Sequence, residues 1–151
     1  MPELTRHDLE PLLADMSEWA MLGYPDEACG LVVEKDGVLS VMRCKNLQNE
    51  LHAKDPARFT RTAATAYNMD PMVFYDVEDQ GGVVRAIFHS HPDRGAYFSP
   101  EDTLSALGGE PDGEPILPDV AYVVISARAE GVDDWKLFHW SDAGHAFTER
   151  A

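Results

Sequence analysis

Positive charge is scarce in this chain. Its 151 residues include 12 Lys and Arg against 27 Asp and Glu, which gives a formal net charge of −15. Because a basic patch is what attracts nucleic acid or an anionic membrane surface, we expect neither partner. A basic partner or a basic substrate tail suits this charge better.

Long apolar runs are also missing. No segment approaches the roughly 18 consecutive apolar residues of a transmembrane helix. The first six residues, Met1–Arg6, lack the basic and apolar regions of a secretory signal peptide. The sequence therefore predicts a cytoplasmic protein.

Cysteine is rare, since only Cys29 and Cys44 are present. Two cysteines do not make a disulfide framework. Cys44 lies in a predicted strand, where a small buried side chain is the usual interpretation. Cys29 falls on the same face of its strand as Glu27 by two-residue alternation, and we also interpret it as a packing residue.

The length and the hydrophobic content of 44% fit one packed core, so we expect a single domain over residues 1–151. Apolar periodicity, capping residues and turn signals predict the elements of this domain. They are a helix over 6–22, a hairpin of strands 28–34 and 38–44, a short strand over 58–62, a helix over 71–80, a strand over 83–88, a helix over 99–107, and strands over 120–127 and 135–140 joined by a turn over 128–134. This order indicates an α/β (α+β) fold in which helices pack on a mixed or antiparallel sheet.

Two further segments have no regular pattern. The stretch 46–56 is polar and is predicted to be irregular. The stretch 108–119 holds three prolines and three glycines among its polar residues, and it is a candidate for a flap over an active site.

Two histidines mark the end of the predicted strand over 83–88. His89 and His91 are two residues apart, so their side chains project from the same face and can grip one metal ion. A catalytic zinc site uses three protein ligands and leaves the fourth position to water. Asp102, beyond a loop that contains Pro and Gly, is the candidate third ligand.

The spacing of these residues resembles that of the JAMM (MPN+) metallopeptidase family. A Glu at position 27, a His-Ser-His-Pro run at 89–92 and a Ser-x-x-Asp run at 99–102 fill every position of the family's pattern. The resemblance implies the cytidine-deaminase-like architecture of MPN domains, with a mixed sheet flanked by helices. It also implies a Zn²⁺ ion held by His89, His91 and Asp102.

The resemblance assigns catalytic roles to two more residues. It makes Glu27 the general base and acid, whereas without the resemblance this residue would be interpreted as a solvent-exposed acid in a turn. Ser99 becomes the donor to the oxyanion of the reaction. The Ser99-x-x-Asp102 spacing is also that of a helix capping box, a second role that both residues are able to combine with the first.

The implied activity is hydrolysis of a peptide or isopeptide bond. Similar proteins cut after the C-terminal Gly-Gly of ubiquitin or of ubiquitin-like sulfur carriers, and the short chain favours a carrier-processing hydrolase of sulfur or cysteine metabolism. We expect an extended substrate tail, held by pairing with an open strand edge. Two alternatives are a zinc hydrolase acting on a small-molecule amide and a non-catalytic MPN scaffold that binds partners without metal.

Overall fold

Six strands organise the chain, which the computed structural model describes over residues 2–151. In chain order they are β1 (Cys29–Lys35), β2 (Val38–Cys44), β3 (Val83–Pro92), β4 (Ala121–Arg128), β5 (Gly131–Ser141) and β6 (Ala146–Arg150). Within these residues they form one sheet in the order β2-β1-β3-β4-β5-β6. The central β3 and β4 are parallel, and the other neighbouring pairs are antiparallel. The predicted mixed α/β fold is thus confirmed.

The helices follow the predicted pattern with one interruption. They are α1 (Arg6–Leu9), α2 (Leu13–Gly23), α3 (Gln48–Lys54), α4 (Met72–Asp79) and α5 (Pro100–Ala106), with a 3₁₀ turn over Glu10–Leu12 between α1 and α2. The single helix predicted over 6–22 is therefore divided, because Pro11 has no N–H to donate to the preceding turn. None of the helices in residues 2–151 has the length and apolar character needed to cross a bilayer.

The region between β2 and α4 differs from the prediction. Residues 48–54, predicted to be irregular, form α3, and residues 58–62, predicted as a strand, contain no strand. The side chains of α3 explain both differences. Gln48 Nε2 donates to the Arg61 carbonyl oxygen at 2.8 Å, and His52 Nδ1 lies 2.7 Å from that of Phe59. These carbonyls are thus satisfied by a helix rather than by a neighbouring strand.

The C-terminal strands are longer and more numerous than predicted. The turn expected over 128–134 shrinks to residues 129–130, because Arg128 already pairs with Gly131. The sequence prediction missed β6, which pairs with β5 from Leu137 to Ser141. Its five residues are exposed or half-buried, so they lack the apolar alternation that marks longer strands.

The two faces of the sheet carry separate apolar cores. One face packs against α1 and α2 through residues such as Leu9, Met16 and Phe88. The other packs against α4, α5 and the loops through residues such as Ile87 and Val124. Because side chains alternate along a strand, the histidines at 89 and 91 share the second face with Ile87.

Gly30 is fixed by close packing between β2 and β3. A β-carbon at this position would lie 2.5 Å from ring atoms of Phe88 and would also meet the Met42 carbonyl oxygen. Nothing at either neighbour is free to move, since one is backbone and the other a fully buried ring.

We therefore expect Gly30→Ala to lower the free energy of unfolding by about 1–3 kcal/mol, the usual cost of overpacking. Urea denaturation of the metal-free protein measures this effect. Gly144→Ala is the matched control, because its nearest atom would be Ser141 Oγ at an ordinary 3.5 Å. Equal stability of the two variants would contradict the close packing described for β1.

Candidate metal centre

Two elements deliver the three predicted ligands. β3 runs on to Pro92, so His89 and His91 lie within its last residues rather than beyond its end. Asp102 is the third residue of α5, the helix that begins after the loop following β3. Its backbone N–H donates to Ser99 Oγ at 3.0 Å, and the Ser99 N–H donates to Asp102 Oδ2 at 3.0 Å. The predicted capping box is present, and it fixes the carboxylate that faces the histidines.

The ligand atoms form a compact triangle. The Nε2 atoms of His89 and His91 are 3.1 Å apart, and each lies 3.2 Å from Asp102 Oδ2. A tetrahedral zinc ion with bonds of about 2.0–2.1 Å holds its ligand atoms about 3.3 Å apart. The triangle therefore fits zinc closely, and two imidazoles with one carboxylate leave the fourth position of the ion open.

The orientation of His91 suits the binding of a cation at this point. His91 Nδ1 lies 3.0 Å from the Gly95 carbonyl oxygen, an atom that only accepts hydrogen bonds. Nδ1 must therefore carry the proton, which leaves a lone pair on Nε2 of the neutral ring. That lone pair faces the carboxylate oxygen of Asp102, so two acceptors meet at a buried point where a metal ion satisfies both.

Charge coupling within the triangle keeps Asp102 ionised. Burial by itself raises the pKa of Asp102, but the charge and hydrogen bond of His89 and the bond from the Ser99 backbone outweigh it, so this pKa lies well below its usual range. Burial also opposes protonation of His89, yet the Asp102 carboxylate raises the pKa of this histidine. The carboxyl group is thus in the deprotonated form that binds metal.

Pairing between β1 and β3 brings Glu27 to the triangle across 62 residues of sequence. Cys29 pairs with His89 in this antiparallel register. One step further, the Ala28 N–H donates to Ser90 Oγ at 2.8 Å and the Ser90 N–H donates to the Ala28 carbonyl oxygen at 2.9 Å. Glu27, which precedes Ala28, therefore lies beside His91 in the same antiparallel register.

Glu27 is a buried carboxylate that uses only one of its two oxygens. It is 2% exposed, and Oε2 accepts a 2.6 Å hydrogen bond from Arg94. Within residues 2–151, Oε1 has no hydrogen-bond partner. Burial raises the pKa of Glu27, against the charges of the two histidines and the bond from Arg94. A raised pKa and a free oxygen are what a group that takes up and returns a proton requires.

Arg94 was not among the residues predicted from the sequence for this site. It lies in the loop between His91 and Ser99, where no spacing rule relates it to Glu27. The fold holds its backbone on β4, since Ser126 Oγ donates to the Arg94 carbonyl oxygen at 2.5 Å and the Asp93 N–H donates to that of Ala127 at 2.7 Å. The side chain of Arg94 is thereby directed at the buried carboxylate.

Ser99 fills the predicted capping role, and its geometry is compatible with the predicted donor role as well. In the capping box its oxygen accepts from the Asp102 N–H, which occupies a lone pair and leaves the hydroxyl proton free to donate. Ser99 is 5% exposed, so a donor bond from it is formed away from bulk water. The cap thus fixes this hydroxyl beside the ligand Asp102.

Aromatic rings and two clefts surround the triangle. Tyr67 stacks on His89 with ring centroids 4.5 Å apart, and Tyr97 meets the edge of His91 at 5.1 Å. One cleft, of about 220 Å³, is lined by Asp102 and Tyr67. A second, of about 230 Å³, is lined by Glu27. Neither tyrosine was singled out as a neighbour of the metal ligands, because both lie outside the motif.

The structure also locates Cys29 and the segment 108–119, which have no assigned role at the site. Cys29 is fully buried, and burial raises the pKa of its thiol to about 12, which favours the packing interpretation. The end of the segment 108–119 borders a cleft with Val83 and Val84, at the start of β3. Only Pro118 and Asp119 of the segment line this cleft, so the flap over 108–119 stays a prediction.

Comparison with known proteins agrees with the fold and the motif. The family of prokaryotic homologues of the JAB domain matches residues 9–138. The chain therefore belongs to this family, the prokaryotic branch of the JAB/MPN domains, which include hydrolases. No curated protein matches the chain.

Two solution structures share the fold. A protein from Desulfitobacterium hafniense is 23% identical with a TM-score of 0.58, over 94% of this chain and 88% of that one. A protein from Salinibacter ruber is 21% identical with a TM-score of 0.54, over 92% of this chain and 85% of that one. At these identities the likeness extends to the fold alone.

The triangle predicts the metal content of the protein. We expect about one zinc ion per chain, and loss of that zinc in the double variant His89→Ala, His91→Ala, because one carboxylate alone does not hold the ion. Elemental analysis of the purified proteins measures this. The control is His7→Ala, His145→Ala, which removes two histidines outside the triangle and retains the zinc. Full zinc occupancy in the first variant would show that these histidines are not the ligands.

Proposed function

We propose that this protein is a zinc-dependent peptidase that hydrolyses a peptide or isopeptide bond after the C-terminal Gly-Gly of a ubiquitin-like or sulfur-carrier protein. One observation carries the proposal. Three ligand atoms converge in an open triangle beside a buried Glu27 carboxylate whose Oε1 has no partner within residues 2–151. A scaffold that only binds partners needs neither feature.

The chemistry divides between the ion and the protein. His89, His91 and Asp102 would hold the zinc ion, which would supply the Lewis acidity that lowers the pKa of water to about 7 and polarises a carbonyl group. Glu27 takes up the proton of the attacking water at Oε1, while Arg94 holds Oε2 in place. Glu27 then gives the proton to the departing nitrogen, so one residue serves as base and acid.

Ser99 stabilises the negative charge that develops on the carbonyl oxygen. Its hydroxyl proton is not used by the capping box, and its position is fixed by the rigid start of α5. One donor of this kind typically contributes about 10²–10³ in rate.

The size of the clefts favours a thin substrate. Volumes of about 220 and 230 Å³ are below the roughly 300 Å³ at which small-molecule sites begin. A Gly-Gly tail needs the least space of any dipeptide, and a folded protein does not fit. The family is prokaryotic, which favours a sulfur carrier over ubiquitin as the bearer of the tail.

The tail does not pair with the strand that carries the histidines. β1 and β4 occupy both sides of β3, so the open edges of the sheet lie at β2 and β6. Pairing of the tail with an open strand edge stays a prediction, and within residues 2–151 it is possible at β2 or β6 but not at β3.

Two substitutions separate the catalytic and the metal-binding roles. We expect Glu27→Gln to retain zinc and to lose about 10²–10⁴ in hydrolysis rate, because the amide keeps the shape but does not carry a proton. Asp102→Asn, in contrast, weakens zinc binding. Elemental analysis and turnover of a Gly-Gly-tailed carrier fusion, followed by intact mass, measure both effects, with Glu130→Gln in the β4–β5 turn as the control. If Glu27→Gln lost zinc while Asp102→Asn stayed active, Glu27 would be the metal ligand and Asp102 would not.

Replacement of the last glycine of the tail by valine tests the proposed preference for a thin substrate. We expect a sharp fall in cleavage rate, since valine adds bulk and restricts the backbone. Fusions that differ only at this residue give the comparison, again by intact mass. Equal turnover would refute the preference for a thin substrate and would favour the small-molecule amidase instead.

A further inference from the structure

Two arginines without an acidic partner lie close to the metal centre. Asp and Glu outnumber Lys and Arg by more than two to one in this chain, and most cations of residues 2–151 have a carboxylate neighbour. Arg58 and Arg61 have none within these residues. Arg58 lies over the ring of Phe59, and Arg61 Nη1 donates to the Thr65 carbonyl oxygen at 2.6 Å. Most of their N–H donors are therefore available to an anion.

Both arginines line the cleft that reaches the metal ligand Asp102. The loop before α4 contributes Arg58 and Arg61 to its lining, and the first turn of α5 contributes Glu101 and Asp102. The cleft thus carries groups of both signs. Since Asp102 is assigned to the metal, Arg58 and Arg61 are the groups that suit the carboxylate of a ligand.

The loop that presents the arginines is held by the rest of the fold. The Phe59 N–H donates to the Asp55 carbonyl oxygen at 2.9 Å, and the Ala63 N–H donates to Asn49 Oδ1 at 2.8 Å. The Arg61 carbonyl oxygen accepts from Gln48, which is 3% exposed. The segment that carries Arg58 and Arg61 is therefore anchored by hydrogen bonds within it and after it.

We infer that this cleft binds the free C-terminal residue that the enzyme releases, with its α-carboxylate on Arg58 and Arg61. The inference rests on the proposed function and narrows it to the terminal peptide bond. In hydrolysis the bond between the glycine carbonyl carbon and the nitrogen breaks, the water oxygen joins the carbon, and the nitrogen leaves as an amine with the proton that Glu27 took from the water. The other water proton leaves when the new carboxyl group ionises. That amine forms at the metal centre, and the guanidinium groups of Arg58 and Arg61 recognise the carboxylate by charge-assisted hydrogen bonds.

A matched pair of substrates tests the inference on the zinc-loaded protein. One carrier fusion ends in Gly-Gly-Ala with a free carboxylate, and the other ends in the same residues with a carboxamide. We expect kcat/KM to be at least about tenfold higher for the free acid, since a hydrogen bond to a charged group is worth that much. In the double variant Arg58→Gln, Arg61→Gln, the KM for the acid rises about tenfold and the carboxamide is unaffected.

The control removes the same charge elsewhere. Lys35→Gln, Lys54→Gln leaves the cleft intact, so the preference for the acid persists. Equal turnover of acid and carboxamide by the unsubstituted protein would overturn the inference. An equal loss of both activities in the arginine variant would also overturn it, because it would mean that the arginines only support the fold.

Binding separates failure of the inference from failure of the proposed function. Calorimetry measures the affinity of a Gly-Gly-Ala peptide, as acid and as carboxamide, for zinc-loaded Glu27→Gln. If neither fusion is cleaved but the acid binds more tightly and the arginine substitutions abolish the difference, the cleft is a carboxylate site and the peptidase assignment is wrong. If the two peptides bind equally, the carboxylate site itself is refuted.

Discussion

The pairing of β1 with β3 is the constraint on which the site depends. A slip of one residue in a strand register turns every side chain to the opposite face of the sheet. Two hydrogen bonds between Ala28 and Ser90, one to the backbone and one to the serine side chain, fix this register where the strands meet the triangle. The serine between the two histidines thus locates Glu27, although it binds no metal itself.

Burial determines how the charged groups of this site interact. His89 and His91 are almost fully buried, and Glu27 is 2% exposed, so charge is costly at all three positions unless a partner offsets it. Arg94 is the partner of Glu27, and the Asp102 carboxylate is the charged neighbour of the two histidines. The acidic chain thus concentrates three of its few arginines, at 58, 61 and 94, around one centre.

Sequence alone predicted the parts of the site that follow from local spacing. Two residues separate the histidines on one strand, and three separate Ser99 from Asp102 in a capping box, so both pairs are fixed by strand and helix geometry. The role of Glu27 came from family resemblance, because its contact with the triangle depends on strand pairing. The position of Arg94 and the cleft lined by Arg58 and Arg61 depend on how loops pack, and no local sequence pattern predicts such contacts. The same holds for the contacts of α3 with Phe59 and Arg61.

The central claim is that this triangle is an open zinc site with Glu27 outside the coordination shell. Anomalous diffraction from crystals of the zinc-loaded protein tests it most directly. The account predicts one zinc ion about 2.0–2.2 Å from the Nε2 atoms of His89 and His91 and from a carboxylate oxygen of Asp102, with Glu27 still bound to Arg94. A zinc ion elsewhere, or one that takes Glu27 as a fourth protein ligand, would contradict it.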